Sequence, residues 1–153
     1  LHSSGVHSNG YTLVRSALAD EIAHGLDKEG PVAGETLGQT LMKPTRLYVP
    51  QAVAATKTGK VKAMAHITGS GLEDNINRVI PAPCVCKLSY DWPRPAVFDL
   101  IASKGVPEEE MRRVFNLGIG YVFIVSPEDE AGVVAVLESL GEKPRRVGRV
   151  VRA

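Results

Sequence analysis

The segment Gly120-Tyr121-Val122-Phe123-Ile124-Val125-Ser126 constrains this chain more than any other. Its consecutive apolar side chains, aromatic and β-branched, suit a strand buried on both faces. Such a strand needs a packed layer on each side, so the chain must fold as stacked layers. The next segment supplies one of them. Pro127–Leu140 opens with Pro, Glu and Asp and stops at Gly141, which predicts a helix with acidic residues at its positive end.

Other segments provide the remaining layers. Val61–Ile67 and Cys84–Ser89 read as strands, and Val147–Val151 as a closing one. Tyr11, Val14, Leu18 and Ile22 recur at helical spacing, with Ser8 or Asn9 as the cap and Gly25 as the stop. Gln51–Thr58, Leu72–Arg78, Ala96–Ser103 and Glu108–Phe115 read as further helices. Gly30–Thr40 and Val79–Pro83 read as loops, and Pro44–Val49 as extended chain. This alternation predicts an α+β fold, a layered domain with helices packed on a mixed β-sheet.

With 153 residues, 44% of them hydrophobic, the chain can build one core without metals or disulfides. A formal net charge of +1 argues against nucleic acid or an anionic membrane as the main partner. No apolar run reaches the roughly 18–20 residues a membrane span requires. The polar start Leu1–Gly10 is not a signal peptide, and a cytoplasmic location is expected. That start lacks Met and opens on loop-like sequence, as expected for a piece of a longer chain. Cys84 and Cys86, two apart on a strand, share a face. Without a second pair or a nearby histidine they read as packed free thiols, and no metal site is expected.

Three segments could carry chemistry. In His7-Ser8-Asn9-Gly10-Tyr11 a polar turn feeds a helix whose first amides attract an anion, and His7 can move a proton near neutral pH. In His66-Ile67-Thr68-Gly69-Ser70-Gly71 a strand ends in a glycine-rich turn, where backbone amides can approach a phosphate unobstructed. No Lys-Ser or Lys-Thr pair follows, so this is not a Walker loop. In Phe115-Asn116-Leu117-Gly118-Ile119-Gly120, Asn116 and Gly118 can take left-handed angles, which suits either a ligand-facing turn or a helix end. Each segment alone reads equally as an ordinary cap or turn. Trp92, among prolines, reads as a packing plug.

Taken in order, four blocks resemble the C-terminal half of the aminoimidazole ribonucleotide synthetase family. They are Ser3–Arg15; Leu41–Val49; Ala65–Leu72 with Asn75, Arg78 and Pro81; and Met111–Gly120. Two departures stand out. Ser70 replaces a usual glycine, which fits only with negative φ or room for a side chain. Val114 stands where threonine is common.

The resemblance implies a single C-terminal domain, residues 1–153, of a longer two-domain enzyme whose N-terminal ATP and dimerisation domain is absent. It implies an ATP-dependent cyclo-ligase that converts formylglycinamidine ribonucleotide to aminoimidazole ribonucleotide in purine biosynthesis. ATP and magnesium would be cofactors, with their ligands mainly in the other domain, and the intact protein would be a homodimer. His66 and His7 become the candidate proton carriers. Ser8, Asn9, Gly10, Thr68, Gly69, Ser70, Gly71 and Asn116 become candidates for substrate and phosphate binding. The half alone should be inactive. Rival readings are another ATP-using member of the superfamily (selenophosphate synthetase, thiamine-monophosphate kinase or the hydrogenase-maturation dehydratase), a non-catalytic phosphate-ligand module, or an oligomerisation domain.

Overall fold

The computed structural model describes all residues 1–153. Eight α-helices and four strands make up the chain. They are α1 Tyr11–Ala17, α2 Ala19–His24, α3 Leu37–Leu41, α4 Val49–Lys57, β1 Val61–His66, α5 Gly71–Asn77, β2 Cys84–Leu88, α6 Ala96–Ser103, α7 Glu108–Val114, β3 Tyr121–Val125, α8 Glu130–Ser139 and β4 Gly148–Arg152. A single tight helical turn, Pro127–Asp129, precedes α8. The layered α+β class holds. The sheet, however, is divided: β1 pairs with β3 and β2 with β4, both antiparallel.

Side chains alternate across β3 and pack on both its faces. Val122 joins the main core with Leu72, Phe98, Ile101, Met111 and Phe115, and Ile124 packs against it. Tyr121, Phe123 and Val125 turn to the other face, against Tyr48, Ala55, Val133 and Leu137 from the α4 and α8 side. Phe98 and Phe115 meet with tilted rings 5.7 Å apart. Burying each such side chain contributes on the order of 1.5–3 kcal/mol. Trp92 is a plug as expected, its indole N–H donating to the Leu117 carbonyl at 2.9 Å. Cys84 and Cys86 are free thiols. No helix is long and apolar enough to cross a membrane.

Several local expectations are corrected. The helix from Tyr11 breaks at Leu18, where φ −105° and ψ 26° end α1 and start α2, so one amphipathic pattern covers two short helices. Its cap is Gly10 in a left-handed conformation, not Ser8 or Asn9. Part of the expected Gly30–Thr40 loop is α3, started by a reciprocal capping box between Thr36 and Gln39. Pro44–Tyr48 is irregular, and Val49 already belongs to α4.

Candidate functional site

The Ser3–Gly10 segment takes its shape from a distant side chain. Asn116 is buried, and its amide N–H group donates to the carbonyls of Gly5 at 2.9 Å and Val6 at 3.3 Å. Its oxygen accepts from the Gly118 amide and the Ser3 hydroxyl, both at 2.8 Å. Asn116, expected at a ligand, thus directs its polar atoms into the fold. The left-handed residues of its turn are Leu117 and Gly118, not Asn116. At the far end, Gly10 has φ 74°, and a Cβ there would strike the side chains of Val114 and Phe115. The Ser8 hydroxyl lies 3.1 Å from that of Thr45, which ties this turn to the Leu41–Val49 segment.

The second turn is held locally. Asn75, on the second turn of α5, reaches back so that its amide donates to the carbonyls of Gly69 at 2.9 Å and Gly71 at 2.6 Å. Its oxygen accepts from the Thr68 hydroxyl at 3.1 Å. Ser70 has φ 74° with its side chain exposed. The negative φ expected for a serine is therefore absent, and room for the side chain is what admits it. Gly71 admits no side chain: φ is 68°, and a Cβ would collide with the Arg112 carbonyl.

The two turns meet. A Cβ placed on Gly69 would lie 3.7 Å from the Asn9 side-chain oxygen. The His7 and His66 ring centroids are 6.3 Å apart, with Tyr48 6.3 Å from His7 and 5.8 Å from His66. Gly120 makes this junction possible, because a side chain there would run into Tyr48 and His7. Neither α1 nor α5 has a side-chain cap, so the first-turn amides of both lack a side-chain partner.

The two histidines differ in environment. His7 is buried at φ 60°, and its Nε2 accepts the Ser4 amide at 3.1 Å. That bond requires a lone pair on Nε2, so the neutral ring carries its proton on Nδ1. Nδ1 itself is buried without a partner. Burial, then the nearby His66 and Arg46, pull the His7 pKa down to about 4. His66, at the end of β1, is exposed.

Three residues outside the expected set frame the junction. Tyr48 is buried, donates to the His2 carbonyl at 2.7 Å and has its hydroxyl pKa pushed up to about 12 by burial. Arg46 lies 5.4 Å from the Tyr48 ring centre and pairs with buried Glu142, which also accepts from Gln51 at 2.7 Å. Asn75 is the third. The Leu41–Val49 match hinted at the first two, but nothing in their spacing pointed to His7. No three His, Cys, Asp or Glu side chains converge as a metal cage.

Residues 1–153 match the family profile described as AIR synthase related protein, C-terminal domain. The chain is 44% identical over 154 residues to the phosphoribosylformylglycinamidine cyclo-ligase of Bacillus velezensis, a match covering 99% of this chain and 44% of that protein. With the enzyme of the same name from Bacillus subtilis (strain 168) it shares 43% over 152 residues, covering 98% and 44%. With that of Exiguobacterium sibiricum it shares 46% over 154 residues, again covering 98% and 44%. The chain therefore spans less than half the length of these curated relatives.

Proposed function

This chain belongs to the family described as AIR synthase related protein, C-terminal domain, and from that premise we propose that it forms one half of an ATP-dependent cyclo-ligase. In this reading the enzyme closes the imidazole ring of aminoimidazole ribonucleotide from formylglycinamidine ribonucleotide, in the cytoplasm, as a homodimer with an N-terminal domain. The names of the relatives support the reaction. The observation that carries the site is the junction of the two turns, with Asn9 against Gly69 and His7 beside His66.

When bound, ATP would supply a phosphoryl group to the amide oxygen of the substrate, its bond to that group breaking as ADP leaves. The substrate's own amine then attacks that carbon, the bond to the phosphorylated oxygen breaks, phosphate departs and the amine loses a proton. The uncapped amides that follow Gly10 and Ser70, with Ser8, Asn9 and Thr68, suit the phosphoryl and ribose oxygens. Such positioning and charge neutralisation are most of what phosphoryl transfer asks of a protein. His66, exposed at the mouth, takes the proton. His7, with Nε2 engaged and the ring buried, holds the turn in shape. Asn116 and Asn75 act the same way, by fixing carbonyls. In this reading the magnesium ligands lie mainly in the N-terminal domain, and the residues of this chain act by binding and orienting the phosphorylated groups.

The test joins this chain to the N-terminal part of the Bacillus subtilis relative and follows ADP release with both substrates. Turnover is expected, and His66→Asn should lower it by roughly 10²–10⁴-fold, the usual contribution of a placed acid or base. Unchanged turnover would remove His66 from the mechanism. Turnover by the isolated chain would refute the division of labour.

A further inference from the structure

Two tyrosine rings place the exposed His66 imidazole. Tyr121 lies directly opposite it in the β1–β3 ladder, with the two rings stacked at 26° and 6.1 Å apart. Tyr48 is the second wall, at 57° and 5.8 Å. The walls differ in what fixes them. Tyr121 is held by the backbone ladder. Tyr48 ends the irregular stretch Lys43–Tyr48, in which residues 43–47 make no backbone–backbone hydrogen bond. Pro44 has no amide to offer one.

Side chains tether this strap instead. The Pro44 carbonyl accepts from the Ser4 hydroxyl at 2.7 Å, and the Thr45 hydroxyl lies 3.1 Å from that of Ser8. Both contacts are exposed, where water competes for the same groups. Arg46 makes the stronger tether. Its guanidinium pairs with Glu142, donates to the His2 carbonyl at 3.3 Å and lies 5.4 Å from the centre of the Tyr48 ring. The Tyr48 hydroxyl donates to that same carbonyl at 2.7 Å. Arg46 and Tyr48 thus hold one acceptor together, so whatever fixes the guanidinium also fixes the ring.

Glu142 is a rigid anchor for this tether. Its backbone closes the end of α8. The Gly141 amide donates to the Glu138 carbonyl at 2.9 Å and the Glu142 amide to that of Leu137 at 3.1 Å, with Gly141 at φ 78°. This pair of bonds is a Schellman end, which fixes the first residues beyond a helix. The Glu142 side chain is only 6% exposed, and its Oε1 accepts from Gln51 of α4 at 2.7 Å as well as from Arg46. A buried carboxylate with two donors is held tightly, because loosening it would strand a charge away from water. Glu142 lies outside all four blocks that carry the family resemblance.

We propose that Glu142 is a positioning residue for His66, acting through Arg46 and Tyr48. The end of α8 fixes Glu142, and Glu142 fixes Arg46. Arg46 and the His2 carbonyl fix the Tyr48 ring, and that ring limits rotation of the His66 imidazole. Glu142 touches no reacting atom. Its effect on turnover rests on the reading of His66 as the proton carrier, whereas its effect on the ring itself does not. Proton transfer needs the imidazole within roughly 2.6–3.2 Å of the atom it serves, so a ring free to turn spends less time in place.

The test replaces the ion pair as a unit, Arg46→Met with Glu142→Leu. Removing both charges strands neither of them, so the fold should persist. In the 153-residue chain the His66 ring-proton resonances should move, and their nuclear Overhauser contacts to the Tyr48 ring should weaken. In the fusion with the N-terminal part of the Bacillus subtilis relative, kcat should fall by roughly 10–10²-fold with KM little changed, as a small misplacement of a catalytic group would cause. Glu142→Gln alone keeps an acceptor oxygen for Arg46 and Gln51 and should recover most of both effects. In a His66→Asn background the paired replacement should lower kcat no further. A folded pair variant with unmoved His66 resonances overturns the proposal, and so does an equal loss of kcat in the His66→Asn background. A pair variant that does not fold makes the pair structural and overturns it too. Unchanged turnover for His66→Asn alone would instead strike the proton-transfer role, and the resonances would still decide the placement.

Discussion

The two turns meet at one junction but are anchored at different range. Thr68–Gly71 hangs on Asn75, seven residues or fewer away along the same strand–turn–helix unit. The Gly5–Gly10 turn hangs on Asn116, 111 residues from Gly5. The local turn can form as soon as α5 does. The distant one exists only after β3 and its preceding turn have docked beside the first residues of the chain. One side-chain chemistry, an amide bridging backbone carbonyls, is thus a local fastener in one place and a closure of the whole fold in the other.

Replacing each asparagine by alanine separates these roles, and Asn116→Ala should have the largest effect of any change here. It leaves the Val6 carbonyl and the Gly118 amide without their buried partner, at about 1–3 kcal/mol for each unsatisfied group, and the Gly5 carbonyl with only the Ser3 hydroxyl. A loss of at least about 3 kcal/mol is expected in urea unfolding, with faster exchange at both residues 3–7 and residues 117–121. Asn75→Ala should cost less, about 1–2 kcal/mol, because alanine favours the helix and the Thr68 and Gly69 carbonyls it frees are only part-buried. Its exchange changes should stay within residues 68–72. Equal losses from the two substitutions would erase the distinction between them.

Acid should act on the distant turn. His7 has a folded pKa near 4 against about 6.5 when unfolded. The unfolded chain therefore binds the extra proton first, and stability falls as pH drops from about 6.5 to about 4. Above that window the His7 contribution is fully present. The slope is at most about 1.4 kcal/mol per pH unit for this one group. Protonation at Nε2 would also break the bond from the Ser4 amide. His7→Gln should flatten this part of a pH series of unfolding midpoints. An unchanged slope would mean that other groups set the acid limit.

The smallest effect concerns the local turn. Ser70 holds a left-handed φ that glycine adopts without strain. Ser70→Gly should stabilise by a few tenths to about 1 kcal/mol, since the relief of strain is partly offset by the greater freedom of glycine when unfolded. A loss of stability would show that the serine side chain contributes to the turn.

Much of the fold was legible in the sequence wherever a pattern repeats over several residues. The runs Val61–Ile67 and Tyr121–Val125 and the helices Ala96–Ser103 and Glu108–Phe115 lie within a residue or two of where periodicity put them. The break at Leu18 was hidden, because two short helices in line carry the same apolar spacing as one long helix. The capping box at Thr36 was present in the residues, but it opens a helix of only 5 residues, too short for periodicity to reveal. Of the site, the two turns were legible as glycine and asparagine punctuation. The roles of Tyr48, Gly120 and Asn116 were not, because each acts on a partner remote in the chain.

What the sequence determined by itself was a list of elements and of turns able to take unusual backbone angles, since both follow from side-chain volume, branching and the absence of Cβ. Only the tertiary structure decided that His7 and His66 share one junction, and that one of these imidazoles is sealed and the other exposed. Those facts depend on which surfaces exclude water from which others, a property of the packed whole that no single stretch of chain contains.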